Sequence, residues 1–154
     1  MGMRTRTGRL LLRAGLGLLV VAVLVQLVPY GRDHTNPPVT RDAPWPEGRA
    51  RELATAACYD CHSNQTRWPP QSFVAPFSWL LARDVSQGRD ELNFSTWDED
   101  DGDADDAADA VAEGSMPPRR YLLVHPDAAL GEAERQLLVD ALEAIGRSTA
   151  RSRP

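Results

Sequence analysis

From Ala14 to Val28 the chain carries a single polar residue, Gln26, behind a flank that bears Arg4, Arg6, Arg9 and Arg13. The buried face of a globular helix is interrupted by polar positions every turn, and this run is not. Its fifteen residues fall short of the roughly 20 that span a bilayer, but counting from Leu10, with Arg13 snorkelling to the surface, restores the length. Residues 1–30 are therefore read as an N-terminal signal anchor, one transmembrane helix. A cleaved signal peptide would need a small-residue A-x-A-like site, whereas the chain continues Leu27-Val28-Pro29-Tyr30-Gly31-Arg32. The positive-inside rule keeps the basic flank in the cytoplasm and sends everything after about Tyr30 to the outer side. The expected location is the cytoplasmic membrane, single-pass, with the remainder facing the periplasm or cell exterior.

After the anchor the pattern changes. Residues 31–46 hold Pro37, Pro38, Pro44 and Pro46 among polar residues, which suits an extended tether. From Glu47 a helical period appears, with Ala50, Leu53, Ala54 and Ala57 repeating at three and four and leading straight into Cys58. Ser63 to Pro70 reads as a loop, and a second helix is expected to open at Pro76 and run through Trp79, Leu80 and Val85 to about Gly88. Asn93 to Trp97 forms a short aromatic connector. A third helix is expected within 98–113, on Ala104, Ala107, Ala108, Ala110 and Val111, and ended by Gly114. Met116-Pro117-Pro118 cannot continue a helix. The last helix spans about Gly131 to Ile145, with Leu130, Leu137, Leu138, Ala141, Leu142 and Ile145 on one face and Gly146 as its C-cap; 147–154 reads as a flexible tail. No segment has strand period, so the domain at 47–146 is expected to be all-α.

Charge narrows the set of partners. The 154-residue chain has no lysine, and beyond the anchor 13 arginines face 22 acids, a net charge of −9. That argues against nucleic acid and against charge-driven binding to an anionic surface, and leaves a basic redox partner open. The stretch Asp98-Glu99-Asp100-Asp101-Gly102-Asp103 fails as an EF-hand. With Gly102 at the sixth position, Trp97 and Ala108 would occupy the first and twelfth, where carboxylates are required. A solvated acidic surface is the simpler reading.

The chemistry sits in Cys58-Tyr59-Asp60-Cys61-His62, which contains both cysteines of the chain. C-x-x-C-H is the attachment signature of haem c. Two intervening residues let both sulfurs reach the vinyl groups of one porphyrin as thioethers, and the adjacent imidazole then falls under the iron as proximal ligand. A thioredoxin-like pair would want a βαβ pattern, and a zinc site, with only His34 and His125 as other histidines and no further cysteine, would have to be completed by carboxylates. For the open axial position, Met116 is the only methionine beyond the first three residues, in a Met-Pro loop before the last helix. A thioether there stabilises reduced iron. His125 is the runner-up, in a turn where a histidine is more often structural, and an open position is the third option. His34 falls in the tether. Trp68, Phe73, Phe77, Trp79, Phe94 and Trp97 are candidates for the wall of a haem pocket, and Arg67, Arg119 and Arg120 for pairing with propionates.

These residues resemble a family, the small haem-binding domain proteins of bacteria, which carry one C-x-x-C-H and look like a reduced cytochrome c. The likeness rests on Cys58 to Asn64, Trp68-Pro69, Ala75-Pro76 with Ser78-Trp79-Leu80, Asp84-Val85, Gly88-Arg89, Leu92 to Ser95 with Trp97, Met116-Pro117, Tyr121 and His125, over about residues 47–145. Where the family has an aromatic-rich stretch after Trp68-Pro69, this chain has Pro70-Gln71-Ser72. The resemblance implies covalent haem, an N-terminal membrane anchor and no established catalytic reaction, with both Met116 and His125 in the pattern. The expected function is single-electron transfer by a tethered haem protein that is not an enzyme. A haem-based sensor or small-gas binder is the alternative, and peroxidase-like activity ranks third because no second histidine is placed for acid-base work.

Overall fold

The computed structural model describes residues 2–46, 48–97 and 104–152. Seven α-helices occur among them, with no strand beyond one isolated parallel bridge between Arg41 and Thr96, so the fold is all-α. The acidic run 98–103 lies outside the described residues.

The chain divides into two compact units. The first comprises 1–34 and 69–83. It is built on α1 (Gly2–Val25), whose stretch Arg6–Val25 is long and apolar enough to cross a membrane, and whose leucines and valines from Leu10 to Leu24 are exposed. After α1 the chain turns through residues 26–28. Gln26 then pairs with the backbone of Ala75 in both directions: its Nε2 donates to the Ala75 carbonyl at 2.8 Å and its Oε1 accepts from the Ala75 N–H at 3.1 Å. Gly31 adopts φ +73°, and a Cβ there would stand 2.3 Å from the Ser78 carbonyl oxygen, so this turn requires glycine. One 3-10 turn, Pro70–Phe73, leads into α4 (Phe77–Glu91). Pro76 precedes that helix and its carbonyl accepts the Leu80 N–H, consistent with the start read from the sequence.

The second unit comprises 35–68 and 84–154, and holds α2 (Arg49–Ala57), α3 (Tyr59–His62), the end of α4, α5 (Ala104–Ala112), α6 (Arg119–Leu122) and α7 (Glu132–Ser152). Its core follows the helical periods read from the sequence, except that Leu137 is 39% exposed and Val139 is buried instead. Ala50, Leu53, Ala54 and Ala57 of α2, Ala104, Ala108 and Val111 of α5, and Leu138, Ala141, Leu142 and Ile145 of α7 are all buried. The small residues of α5 let it lie close against α7. Gly114, at φ +73°, ends α5 in the left-handed conformation expected of a helix-terminating glycine.

Two expectations about the ends of this domain are corrected. The helix α7 runs on to Ser152 with Gly146 inside it, where α5 passes close by: a Cβ there would lie 2.9 Å from the movable Asp105 Oδ1 and an ordinary 3.4 Å from Ala104 Cβ. The tail beyond it is held, with Trp97 Nε1 donating to Thr149 Oγ1 at 3.0 Å. The proline-rich segment is extended but docked. Ala43 N–H donates to the Phe94 carbonyl at 2.8 Å, Trp97 N–H to the Arg41 carbonyl at 3.0 Å, and Ala43 and Trp45 join the core. Proline composition reports backbone extension; burial of Trp45 decides that the segment packs.

Candidate haem site

The helix α2 stops at Ala57 because Cys58 leaves helical geometry (φ −123°), and the single turn α3 follows. Cys61 and His62 N–H groups both return to the Cys58 carbonyl, at 3.1 and 2.9 Å. The motif is thus one hydrogen-bonded turn with the cysteines at its two ends. Both thiols are free of any disulfide and partly buried. Burial pushes Cys58 up to about 12, with Cys61 as a further cause, and pushes Cys61 up to about 11, helped by the negative charges of Asp84 and Asp60. Redox-active C-x-x-C pairs show the opposite, a depressed thiol in electropositive surroundings. Among the described residues no three His, Cys, Asp or Glu side chains converge to hold a metal ion.

His62 is held on two sides by the connector that follows α4. Its Nδ1 lies 3.1 Å from the Leu92 carbonyl oxygen, and its own carbonyl accepts the Phe94 N–H at 2.8 Å. A carbonyl only accepts, so Nδ1 carries the proton and Nε2 carries the lone pair. Burial lowers the pKa of His62, against the raising effect of the Leu92 and Gly88 carbonyls, and so favours the neutral ring. This is how a metal-ligating imidazole is usually oriented, through a hydrogen bond on its far nitrogen. Asn64 is clamped by the same connector: Asn93 Nδ2 donates to its Oδ1 at 2.9 Å, and its N–H donates to Ser95 Oγ at 3.0 Å.

Helix α4 presses directly on the motif. A Cβ at Gly88 would stand 2.6 Å from the Cys61 carbonyl oxygen, so only glycine lets the two backbones meet. The next residue, Arg89, is half-buried and donates to the Ser63 carbonyl at 2.8 Å, to Thr66 Oγ1 at 2.9 Å and to Asn36 Oδ1 at 3.0 Å. Burial among these neutral acceptors lowers its pKa.

Between the cysteines, Asp60 is 7% exposed and organises a second network. Arg67 grips it in a fork, Nε to Oδ1 and Nη2 to Oδ2, each at 3.0 Å, and Tyr121 Oη donates to Oδ2 at 2.8 Å. The His125 ring stacks on Tyr121 with centroids 4.0 Å apart, and its Nδ1 donates to the Tyr121 carbonyl at 3.2 Å. Met116 occupies the loop after α5, 38% exposed, with its N–H bonded to the Ala110 carbonyl. It is linked to the motif through α6, which starts at Arg119 and carries Tyr121.

The structure therefore gathers Cys58, Cys61 and His62 on one turn and brings Tyr121 and His125 to its back. The connector's role as a clamp on His62 was missed from sequence, because backbone acceptors such as the Leu92 carbonyl leave no trace in side-chain identity. Other expectations change as well. Phe94 is 2% exposed in the aromatic core with Trp45, Tyr59 and Trp97, its ring 6.5 Å from His62. Phe73 and Phe77, by contrast, are exposed in the first unit. Arg67 and Arg120 are already paired with Asp60 and Asp84. His34 is half-buried, 3.2 Å from the Ser72 carbonyl, and so is not a solvated tether residue.

The donor set fits a c-type haem: two reduced thiols two residues apart on one turn, and beside them an imidazole with its Nδ1–H committed and its Nε2 lone pair available. Residues 20–144 match the family model described as a haem-binding domain. No curated protein and no solved structure matches the chain.

Proposed function

The chain belongs to the haem-binding domain family, and from that premise we propose that it is a membrane-anchored monohaem c-type protein that transfers single electrons on the outer side of the cytoplasmic membrane. The observation that carries this reading is the hydrogen bond from His62 Nδ1 to the Leu92 carbonyl, 3.1 Å, beside two free thiols. Cys58 and Cys61 would hold the haem as thioethers, His62 would take the proximal axial position through Nε2, and Met116 the distal one. A haem iron, once bound, supplies one-electron ferric–ferrous chemistry, and a thioether ligand raises its potential. The protein's own contribution is a held turn: Leu92 orients the His62 ring, Phe94 holds the His62 carbonyl, Gly88 and Arg89 pack and bond the turn, and Asp60 ties it to Arg67 and Tyr121. The arginine-flanked helix α1 supports the membrane location and its orientation.

A haem-stained denaturing gel of the wild type and the Cys58→Ala variant tests attachment, with stain expected only in the wild type. The visible spectrum of the ferric protein tests the distal ligand. The weak sulfur-to-iron band at the red end should be present and vanish in Met116→Leu, and its absence from the wild type removes Met116.

One observation favours a second reading, a sensor or small-gas binder. Met116 is 38% exposed on a loop and stands outside the packed core, as befits a ligand that can be displaced. Rapid carbon monoxide binding to the reduced protein would favour this reading over electron transfer.

A further inference from the structure

The first unit exposes apolar and aromatic side chains where a water-facing surface would not. Phe73 is 60% exposed, Phe77 58%, Tyr30 55%, Val74 50% and Leu80 44%. All but Tyr30 belong to a stretch, 68–82, with no charged residue, bounded by Arg67 and Arg83. Contiguous apolar surface of this kind marks an interaction site.

The position of the patch in the unit identifies what covers it. Three contacts pin it to the end of α1: the two-way pairing of Gln26 with Ala75, the close approach of Gly31 to the Ser78 carbonyl, and the edge-on contact of His34 with Phe73 at 4.4 Å between ring centroids. Gln26 is the residue directly after α1, so Phe73, Val74 and Phe77 lie at the level where that helix ends. Aromatic rings are enriched at this level of a membrane, where an apolar body meets acyl chains and the backbone can reach water. A charge-free, aromatic-rich segment suits that boundary, and a surface for the aqueous phase would carry charges.

We propose that residues 73–80 form a second membrane contact, an interfacial element seated in the same lipid boundary from which α1 emerges. This rests on the reading of α1 as a membrane anchor. The chain would then meet one bilayer surface twice, and Gln26 would act as the latch between the two contacts.

Photolabelling separates the two ideas. The full haem-loaded protein in phosphatidylcholine vesicles is irradiated with a phosphatidylcholine that carries a diazirine near its headgroup, then cut at arginine. The arginines isolate the anchor as peptide 14–32 and the patch as peptide 68–83. Label is expected in both, with 68–83 several-fold above peptide 136–147, and the double variant Phe73→Ser, Phe77→Ser should lose most of the label in 68–83 while 14–32 keeps its own. Label in 14–32 with none in 68–83 overturns the proposal and leaves the anchor standing. Label in neither overturns both. Protection of 68–83 through a second copy of the chain, seen as a dimer after chemical cross-linking of unlabelled vesicles, also overturns it.

Discussion

Replacing Gly88 by alanine tests how tightly α4 and the haem motif are joined. A methyl group there would lie 2.6 Å from the Cys61 carbonyl oxygen, 2.9 Å from its carbonyl carbon and 3.0 Å from Cys61 Cβ. Two of those atoms are backbone, so no rotamer change relieves the clash. Reaching an ordinary contact of about 3.4 Å parts α4 from α3 by roughly 0.8 Å. The same seam holds the 2.8 Å bonds from Arg89 to Ser63 and from Phe94 to His62, and that parting would stretch them towards roughly 3.6 Å, beyond hydrogen-bonding range. Overpacking costs about 1–3 kcal/mol and each lost bond about 1 kcal/mol, against a helix-propensity gain of about 1 kcal/mol. Gly88→Ala should therefore lose about 2–4 kcal/mol in urea denaturation of the haem-loaded protein. Covalent haem per chain, read as the pyridine haemochrome, should fall with it. A variant as stable as the wild type, or more so, with full haem content would refute the packing argument, since that is how a Gly→Ala change behaves in a helix with room to spare.

Other outcomes follow from the same geometry. Tyr121→Phe removes the phenol from the buried Asp60 carboxylate and should cost about 1–2 kcal/mol in denaturant unfolding, while Arg67→Ala, on a largely exposed partner, should cost less; the reverse order would show that Asp60 depends on Arg67. Thr149→Val removes the acceptor of the Trp97 indole and should lower stability by about 1 kcal/mol, whereas a frayed tail would show no change. In the Cys58→Ser, Cys61→Ser chain, which takes up no covalent haem, His62 has a pKa lowered from 6.5 by burial, so the unfolded state binds the proton first as pH falls. Stability should hold above about pH 6.5 and decline below it, and His62→Gln should flatten that decline; a pH profile unchanged by the substitution would show that His62 is not buried.

The sequence alone determined the elements whose signals are local. The apolar run of α1, the alanine and leucine periods of α2, α5 and α7, the stop at Gly114 and the C-x-x-C-H motif each follow from side-chain chemistry over a few consecutive residues. Tertiary structure decided the rest. Two glycines that look like helix ends, Gly88 and Gly146, lie inside helices; at Gly88 the Cys61 backbone leaves no room for a Cβ, and at Gly146 α5 passes close by, neighbours from distant sequence that periodicity does not show. The proline-rich stretch looks like a free tether until Trp45 is seen in the core. The aromatics of 68–97 read as one pocket wall, yet Phe94 and Trp97 are buried while Phe73 and Phe77 face outward, because residue type states that a ring prefers to leave water and not which partner receives it. The orientation of His62 depends on backbone oxygens, chiefly that of Leu92 thirty residues away, a group every residue carries, and only folding determines which carbonyl arrives there.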